Sequence, residues 1–426
     1  MTSRKFPGQD ESEATAAAPA SEAEIRDFLE REAPRYQKIQ LGEGLATIGA
    51  DRSYLHDIVF ADDISNQSLL DIGSSMGHFC FEALRRGATA ATGLETGPDS
   101  VRQARQLNEL LGSSAEFIEA DFDVWEPAAS YDVVLCLNVM HHLFDPIGSL
   151  RKLLRITRRR AVLEVAGLEW AHLRWPRNWP LMLGATAAPI ILLDDAKRNY
   201  DTAQRTFAFT KKSLSIICNQ HTLAFEPLRF HRSRFRNRMI FEARRREIDH
   251  LVVVAGPSAS GKSTLLDKLG ASAALRSRFG IDSENPVVAT ARHADELPTG
   301  PIDTLLYHYD ILRPFKRSIQ SHRRDPALSL LDCARKVTII DLLCEPGELR
   351  KRLEASKLGR FLVKKRNRAL YDRYQQPEFL KSWYRSWIDA TSAQHRTPPG
   401  RFIVRTDRDY SELPDTNAAL ELLTHD

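Results

Sequence analysis

Short apolar runs alternate with amphipathic stretches along most of this chain, and the two periods predict strands and helices in turn. Leu69–Ile72, Ala88–Leu94, Ala115–Glu119, Tyr131–Leu137 and Ala161–Val165 read as buried strands, with helical patterns between them. Before them, Ile25, Phe28 and Leu29 mark a helix over Glu22–Ala33 that Pro34 ends. Tyr36–Leu41 alternates as a short strand, and Ser53–Phe60 resumes as a helix. The segment Phe207–Leu214 introduces a helix, and Ala224–Glu242 alternates like a pair of closing strands. Beyond a charged linker, Arg244–Asp249, the rhythm restarts. Leu251–Ala255 is an apolar strand, Leu265, Leu266 and Leu269 mark a helix, and Leu305–Asp310 and Val337–Leu343 are further strands. Leu370–Ile388 carries aromatic residues at helical spacing, which core packing explains.

Alternating strands and helices call for parallel, doubly wound sheets with ligands at the carboxyl ends of the strands. At 426 residues the chain exceeds one ordinary core. We therefore expect an α/β protein with a disordered tail over residues 1–24, one domain over 25–245 and a second over 246–426. Charged residues at 27% and hydrophobic ones at 42% suit a globular enzyme, and a net charge of +4 is too small to argue for nucleic acid by itself. Five cysteines without metal-ligand spacing suit reduced thiols and a cytoplasmic location. The opening residues lack the apolar core of a secretory signal. The apolar stretch Trp179–Leu193 is too short to span a bilayer and holds Pro180 and Pro189. Over residues 170–193 it reads either as a cap over a pocket or as a peripheral membrane contact.

Two loops carry chemistry. In the first half, Asp71-Ile-Gly73 leads through Ser75 to Gly77 between strand and helix, and Glu95 ends the next strand about 20 residues past Gly73, where a carboxylate can meet ribose hydroxyls. Asp121 with Phe122 follows the third strand, and Asn138, His141 and His142 follow the fourth. Together these motifs resemble the class I S-adenosylmethionine (SAM)-dependent methyltransferases, over roughly residues 36–245. The resemblance implies a Rossmann-like sheet with Asp71, Gly73, Ser75 and Gly77 around the methionine part of SAM, Glu95 on the ribose, Asp121 and Phe122 at the adenine and Asn138 beside the reacting centre. It departs from the family at Ser75, which stands where the middle glycine of D-x-G-x-G-x-G is usual. His141 and His142 are candidate bases or pocket walls, and Glu164 either orients an acceptor hydroxyl or caps its strand. The opening YQKIQLGEGLATIG is also similar to the enzymes that alkylate the wobble uridine of tRNA.

In the second half, Gly256-Pro-Ser258-Ala-Ser260-Gly261-Lys262-Ser263-Thr264 fills G-x-x-x-x-G-K-[ST], whose backbone N–H groups cradle phosphate. Lys262 is expected to reach the β/γ-phosphates of ATP, with Ser263 and Asp310 on Mg²⁺ and Asp310 rather than Asp341 as the catalytic acid. The loop and VTIIDLLCEPGELRKRL resemble guanylate and small-molecule kinases of the P-loop superfamily over about residues 250–360, without a guanylate-binding segment. Basic residues Arg350, Arg352, Arg360, Lys364, Lys365, Arg366 and Arg368 are candidates for a lid.

The expectation is a bifunctional enzyme: methyl transfer to a hydroxyl or similar nucleophile plus phosphoryl transfer, on a saccharide or other small-molecule terminus. Two alternatives stay open. One is an RNA methyltransferase of tRNA type, and the other a methyltransferase regulated by a non-catalytic nucleotide-binding domain. Arg229, Arg232, Arg234, Arg236 and Arg238 face either an anionic substrate or solvent.

Overall fold

A computed structural model describes residues 19–168, 188–195, 205–291, 293–313, 322–355, 369, 372–374, 376–392 and 398–423. The stretch 170–193 is described only from 188, and the lid candidates Arg360, Lys364, Lys365, Arg366 and Arg368 lie outside the described residues. The chain divides into two compact units. The first holds residues up to Leu214 together with Arg229–Ala243, and the second holds Ser215–Leu228 and Arg244 onward.

The first unit opens with the helix Glu22–Glu32, which starts inside the expected disordered tail because Ser21 and Glu24 form a reciprocal capping box. Strands β1 (Gln40–Gly42) and β2 (Leu45–Ala46) pair as a small ribbon. The helix expected at Ser53–Phe60 is a 3₁₀ turn, Ser53–Leu55, running into His56–Val59. The main sheet then takes β3 (Ser68–Ile72), β4 (Ala90–Glu95), β5 (Glu116–Glu119), β6 (Tyr131–Leu137) and β7 (Thr157–Ala166). A separate pair, β8 (Ile191–Asp195) and β9 (Arg205–Phe209), precedes an antiparallel hairpin of β10 (Arg229–Arg232) and β11 (Arg238–Arg244). The seven-stranded order is β10-β11-β7-β6-β3-β4-β5, and the pairs β7–β6, β6–β3, β3–β4 and β4–β5 are parallel. Chain order reverses between β3 and β6, which opens a crevice at their carboxyl ends. Leu69, Val133, Leu135 and Val162 face the helices in one buried cluster with Phe79 and Val101.

The second unit is built on β12 (Ile248–Gly256), with β13 (Val287–Ala289), β14 (Ile302–Asp310), β15 (Ala334–Leu343), β16 (Gly400–Arg405) and the short β17 (Ser411–Glu412). Its order is β13-β14-β12-β15-β16-β17, parallel except for the last pair. The switch falls beside β12, so the loop after Gly256 opens into the crevice. The helix Pro377–Ser392 packs Tyr384 and Trp387 into the core, as the aromatic spacing predicts. Asp341 is 1% exposed inside β15, where it accepts a hydrogen bond from Trp387 Nε1 at 2.7 Å and pairs with Arg401.

Asp341 is therefore a structural carboxylate. Asp341→Ala leaves the Trp387 donor and the Arg401 guanidinium without their anion, and it should destabilise the second unit by about 3 kcal/mol. Urea unfolding followed by tryptophan fluorescence reads this directly, and a loss below about 0.5 kcal/mol would contradict the assignment.

Candidate functional site

In the first unit the 73–77 loop folds back over the end of β4, with the N–H groups of Gly73 and Ser74 donating to the Leu94 carbonyl at 2.7 and 3.1 Å. Gly73 has φ +75°, and a Cβ there would sit 2.2 Å from Val139 Cγ2. Gly77 has φ +91° and would place a Cβ 2.4 Å from the Phe117 ring, so only glycine lets the helix His78–Arg85 approach the sheet. Ser75 also adopts a left-handed φ of +50°, at a cost of roughly 1 kcal/mol. Its N–H donates to Glu95 Oε2 at 3.0 Å, while Glu95 Oε1 accepts from Thr96 N and Gly97 N at 2.8 and 2.9 Å. Glu95 is thus clamped facing the loop before any ligand arrives.

Asp71 lies behind this loop, 2% exposed. Burial, reinforced by the charge of Glu95, pushes its carboxyl up to about 7. Asn138, at φ +68°, donates its N–H to the Glu164 carbonyl at 2.8 Å, while its Oδ1 is buried without a hydrogen-bond partner among the described residues. Ser74 Oγ and Glu164 Oε2 are buried and unpartnered in the same way. Buried polar atoms rarely stay unsatisfied, and these three belong to the loops and strand ends that form the candidate site.

The two histidines differ in their surroundings. His141 Nδ1 accepts the Ala166 N–H at 3.3 Å, and burial, with help from His142 and Arg238, lowers its pKa to about 3. It stays neutral at physiological pH, with that nitrogen occupied. The His142 ring lies 4.1 Å from it, tilted by 45°, and its pKa is lowered by partial burial and by Arg238. Glu164 accepts from Ser233 Oγ at 2.8 Å. Asp121 is exposed and accepts from Asp123 N. Phe122 is buried, its ring beneath Lys152 Nζ at 4.9 Å.

Three contributors escaped the sequence reading. Lys152 ties down the 122–125 loop by donating to the carbonyls of Phe122, Asp123 and Trp125. Ser233 orients Glu164. Tyr54 has a buried hydroxyl whose pKa is raised by burial and by the charge of Glu164. None has a motif; only the fold brings them to the strand ends. A separate cavity of about 570 Å³, lined by Lys38, His56, His78 and Glu82, does not include the glycine loop.

In the second unit the loop after β12 turns through Ala259 at φ +69° into the helix Lys262–Ala271. Lys262 is 4% exposed and donates to the carbonyls of Gly256 and Pro257 at 2.9 and 2.6 Å. Burial pulls its ammonium down to about 7. Ser260 Oγ is buried without a partner among the described residues, and Ser258 Oγ donates to Asp310 Oδ2 at 3.2 Å. Register sets Asp310 opposite Gly256, at the mouth of the loop, whereas Asp341 is opposite Ala255 and consumed by Trp387 and Arg401. Gly261, Lys262, Ser263 and Thr264 line a cavity of about 470 Å³ with His308 and Arg352. Arg352 is held there by Thr406 Oγ1 at 3.0 Å and by Glu348.

Residues 63–172 match a family model described as "Methyltransferase domain". Among curated proteins, the chain is 30% identical over 93 residues to the ubiquinone biosynthesis O-methyltransferase of Vibrio parahaemolyticus, a match covering 21% of this chain and 39% of that protein. It is 27% identical over 101 residues to the tRNA U34 carboxymethyltransferase of Idiomarina loihiensis, covering 23% and 31%. The chain thus spans two-fifths or less of the length of these relatives. Among solved structures, the N-terminal domain of EvdMO1 in the presence of SAH and D-fucose aligns with 54% of this chain and 98% of its own, at 17% identity and a TM-score of 0.42.

The raised Asp71 carboxyl gives a pH test. As pH climbs, the unfolded chain loses this proton first, near the ordinary aspartate value. The folded unit is therefore progressively destabilised between about pH 4 and pH 7. Asp71→Asn should flatten that part of the profile and raise stability at pH 8 by up to about 4 kcal/mol. Identical denaturation midpoints for parent and variant at pH 8 would show that the carboxyl ionises normally.

Proposed function

Because residues 63–172 form a class I SAM-dependent methyltransferase domain, we propose that the first unit transfers the methyl group of SAM to a hydroxyl, or a similar nucleophile, of a small molecule. One observation carries this reading: Glu95 is clamped across the glycine loop from Asp71, with the unpartnered atoms of Ser74 and Asn138 at the same strand ends. Glu95 keeps lone pairs for ribose hydroxyls, Asp71 offers a carboxylate to the amino-acid ammonium, and the Asp121–Phe122 turn lies on the adenine side. Bound SAM supplies a methyl group already activated on sulfonium, so this unit needs no residue to activate the donor. What remains for the chain is to place the acceptor in line and receive its proton. Glu164 suits that role through its free Oε2, while His141, engaged by the Ala166 N–H, shapes the pocket together with Asn138 and His142. The similarity to an O-methyltransferase supports oxygen as the acceptor atom.

For the second unit we propose binding of ATP with Mg²⁺ and transfer of a phosphoryl group. The residues fit: the loop carries the buried, unpartnered Ser260 Oγ, and Lys262 spends its protons on its own loop carbonyls until phosphate replaces them. Ser263 and Asp310 are the metal-side pair, with Gly256, Ser258, Gly261 and Thr264 around the phosphates. Asp310 would orient the acceptor hydroxyl.

Similarity to a tRNA-modifying enzyme favours RNA as a second reading for the methyl acceptor. It predicts RNA affinity that falls steeply and linearly in log–log plots against salt, and weak, salt-insensitive association would count against it.

Calorimetry with each nucleotide tests the main proposal. Gly73→Arg should abolish the heat of SAM binding and leave that of ATP with Mg²⁺, and Lys262→Ala should do the opposite. The proposal fails if neither compound gives heat with folded parent protein.

A further inference from the structure

The hairpin turn between β10 and β11 belongs to the first unit and carries three arginines within five residues, Arg234, Arg236 and Arg238. Hairpin turns usually point charge into solvent, but this one is tied to the strand ends. Ser233 donates to Glu164, the Arg234 guanidinium stands 6.0 Å from the centre of the Tyr54 ring, and Phe235 meets that ring edge-on at 6.2 Å. Asn237 accepts the Gly167 N–H at 2.9 Å, at the end of β7. Arg238 lies close enough for its charge to act on His141, His142 and Tyr54.

The turn therefore lies beside Tyr54 and beside Glu164, whose Oε2 is buried with no hydrogen-bond partner among the described residues. Arg234 and Arg238 contact aromatic rings, and none of the three arginines forms an ion pair with a carboxylate among the described residues. Guanidinium groups bind phosphate and carboxylate through paired N–H donors, whereas a buried carboxylate oxygen needs a proton donor such as a hydroxyl.

We propose that the methyl acceptor of the first unit is a hydroxylated small molecule that also bears an anionic group, with its hydroxyl on Glu164 and its anion on the Arg234–Arg238 turn. This rests on the methyl-transfer reading and narrows its substrate class. A phosphate on a hydroxylated compound is what phosphoryl transfer to a polyol delivers, the reaction proposed for the second unit. A carboxylate would come instead from oxidation of a primary alcohol.

The test uses the full chain with Lys262→Ala, which removes phosphate binding by the second unit, saturated with S-adenosylhomocysteine. D-glucose, D-glucuronate and D-glucose 6-phosphate are titrated in turn as probes. We expect one or both anionic sugars to bind at least about tenfold more tightly than glucose, and Arg234→Gln with Arg238→Gln to erase that preference. Which anionic sugar binds better separates phosphate from carboxylate. Equal binding of all three sugars, a preference that survives the arginine substitutions, or binding of poly(U) with none of the sugars overturns the proposal. Heat from S-adenosylhomocysteine is measured first. Its absence would refute the methyl-transfer reading itself, a failure distinct from that of the anionic acceptor.

Discussion

Burying charge where parallel strands end is the constraint on which the rest of this protein turns. Asp71, Glu164 and Lys262 are each under 5% exposed, and each stands at or just beyond the carboxyl end of a central strand. A sheet covered by helices on both faces leaves only its ends open to a polar ligand. Desolvated groups there are costly unless something completes their hydrogen bonds. The shifts of Asp71 and Lys262, both toward about 7, have the same first cause, removal of water. Desolvated titratable groups cluster at functional sites in general, which is what makes these strand ends the candidate sites.

The two units answer the constraint differently. In the first, a carboxylate holds the loop: Glu95, at the end of the neighbouring strand β4, binds Ser75 N–H and keeps a serine in a left-handed conformation that glycine would adopt freely. In the second, a cation holds it, with Lys262 satisfying carbonyls of its own loop. The contrast between Asp310 and Asp341 follows the same logic. Both are aspartates in apolar strands, but β15 buries Asp341 among Trp387 and Arg401, whereas β14 ends at Asp310 and leaves it facing Ser258.

Much of the architecture was legible in the chain. Tyr131–Leu137 forms a strand with the expected bounds, and the strands ending in Glu95, Glu119 and Asp310 stop where their carboxylates suggested. Apolar runs flanked by glycine or by charge leave few alternatives. Legibility failed where local pattern was weak. The segment 53–60 winds as 3₁₀ before becoming helical, and Ser215–Leu228 joins the second unit although its sequence neighbours on both sides belong to the first. Lys152 belongs to no motif, yet it donates to three carbonyls of the 122–125 loop.

The sequence by itself determined the strands, the two glycine-bearing loops and the carboxylates that follow them, because periodicity and turn chemistry act over a few neighbouring residues. Tertiary structure alone decided which polar groups gather around Glu164. Tyr54, Asn138, Glu164 and Ser233 are separated by up to about 180 positions and meet only because β3, β6, β7 and the β10–β11 hairpin stand side by side. It also decided that Asp341 is structural and that His141 gives up a ring nitrogen to the Ala166 N–H. Burial and hydrogen-bond geometry depend on what the rest of the chain brings near, and no local pattern of residues encodes them.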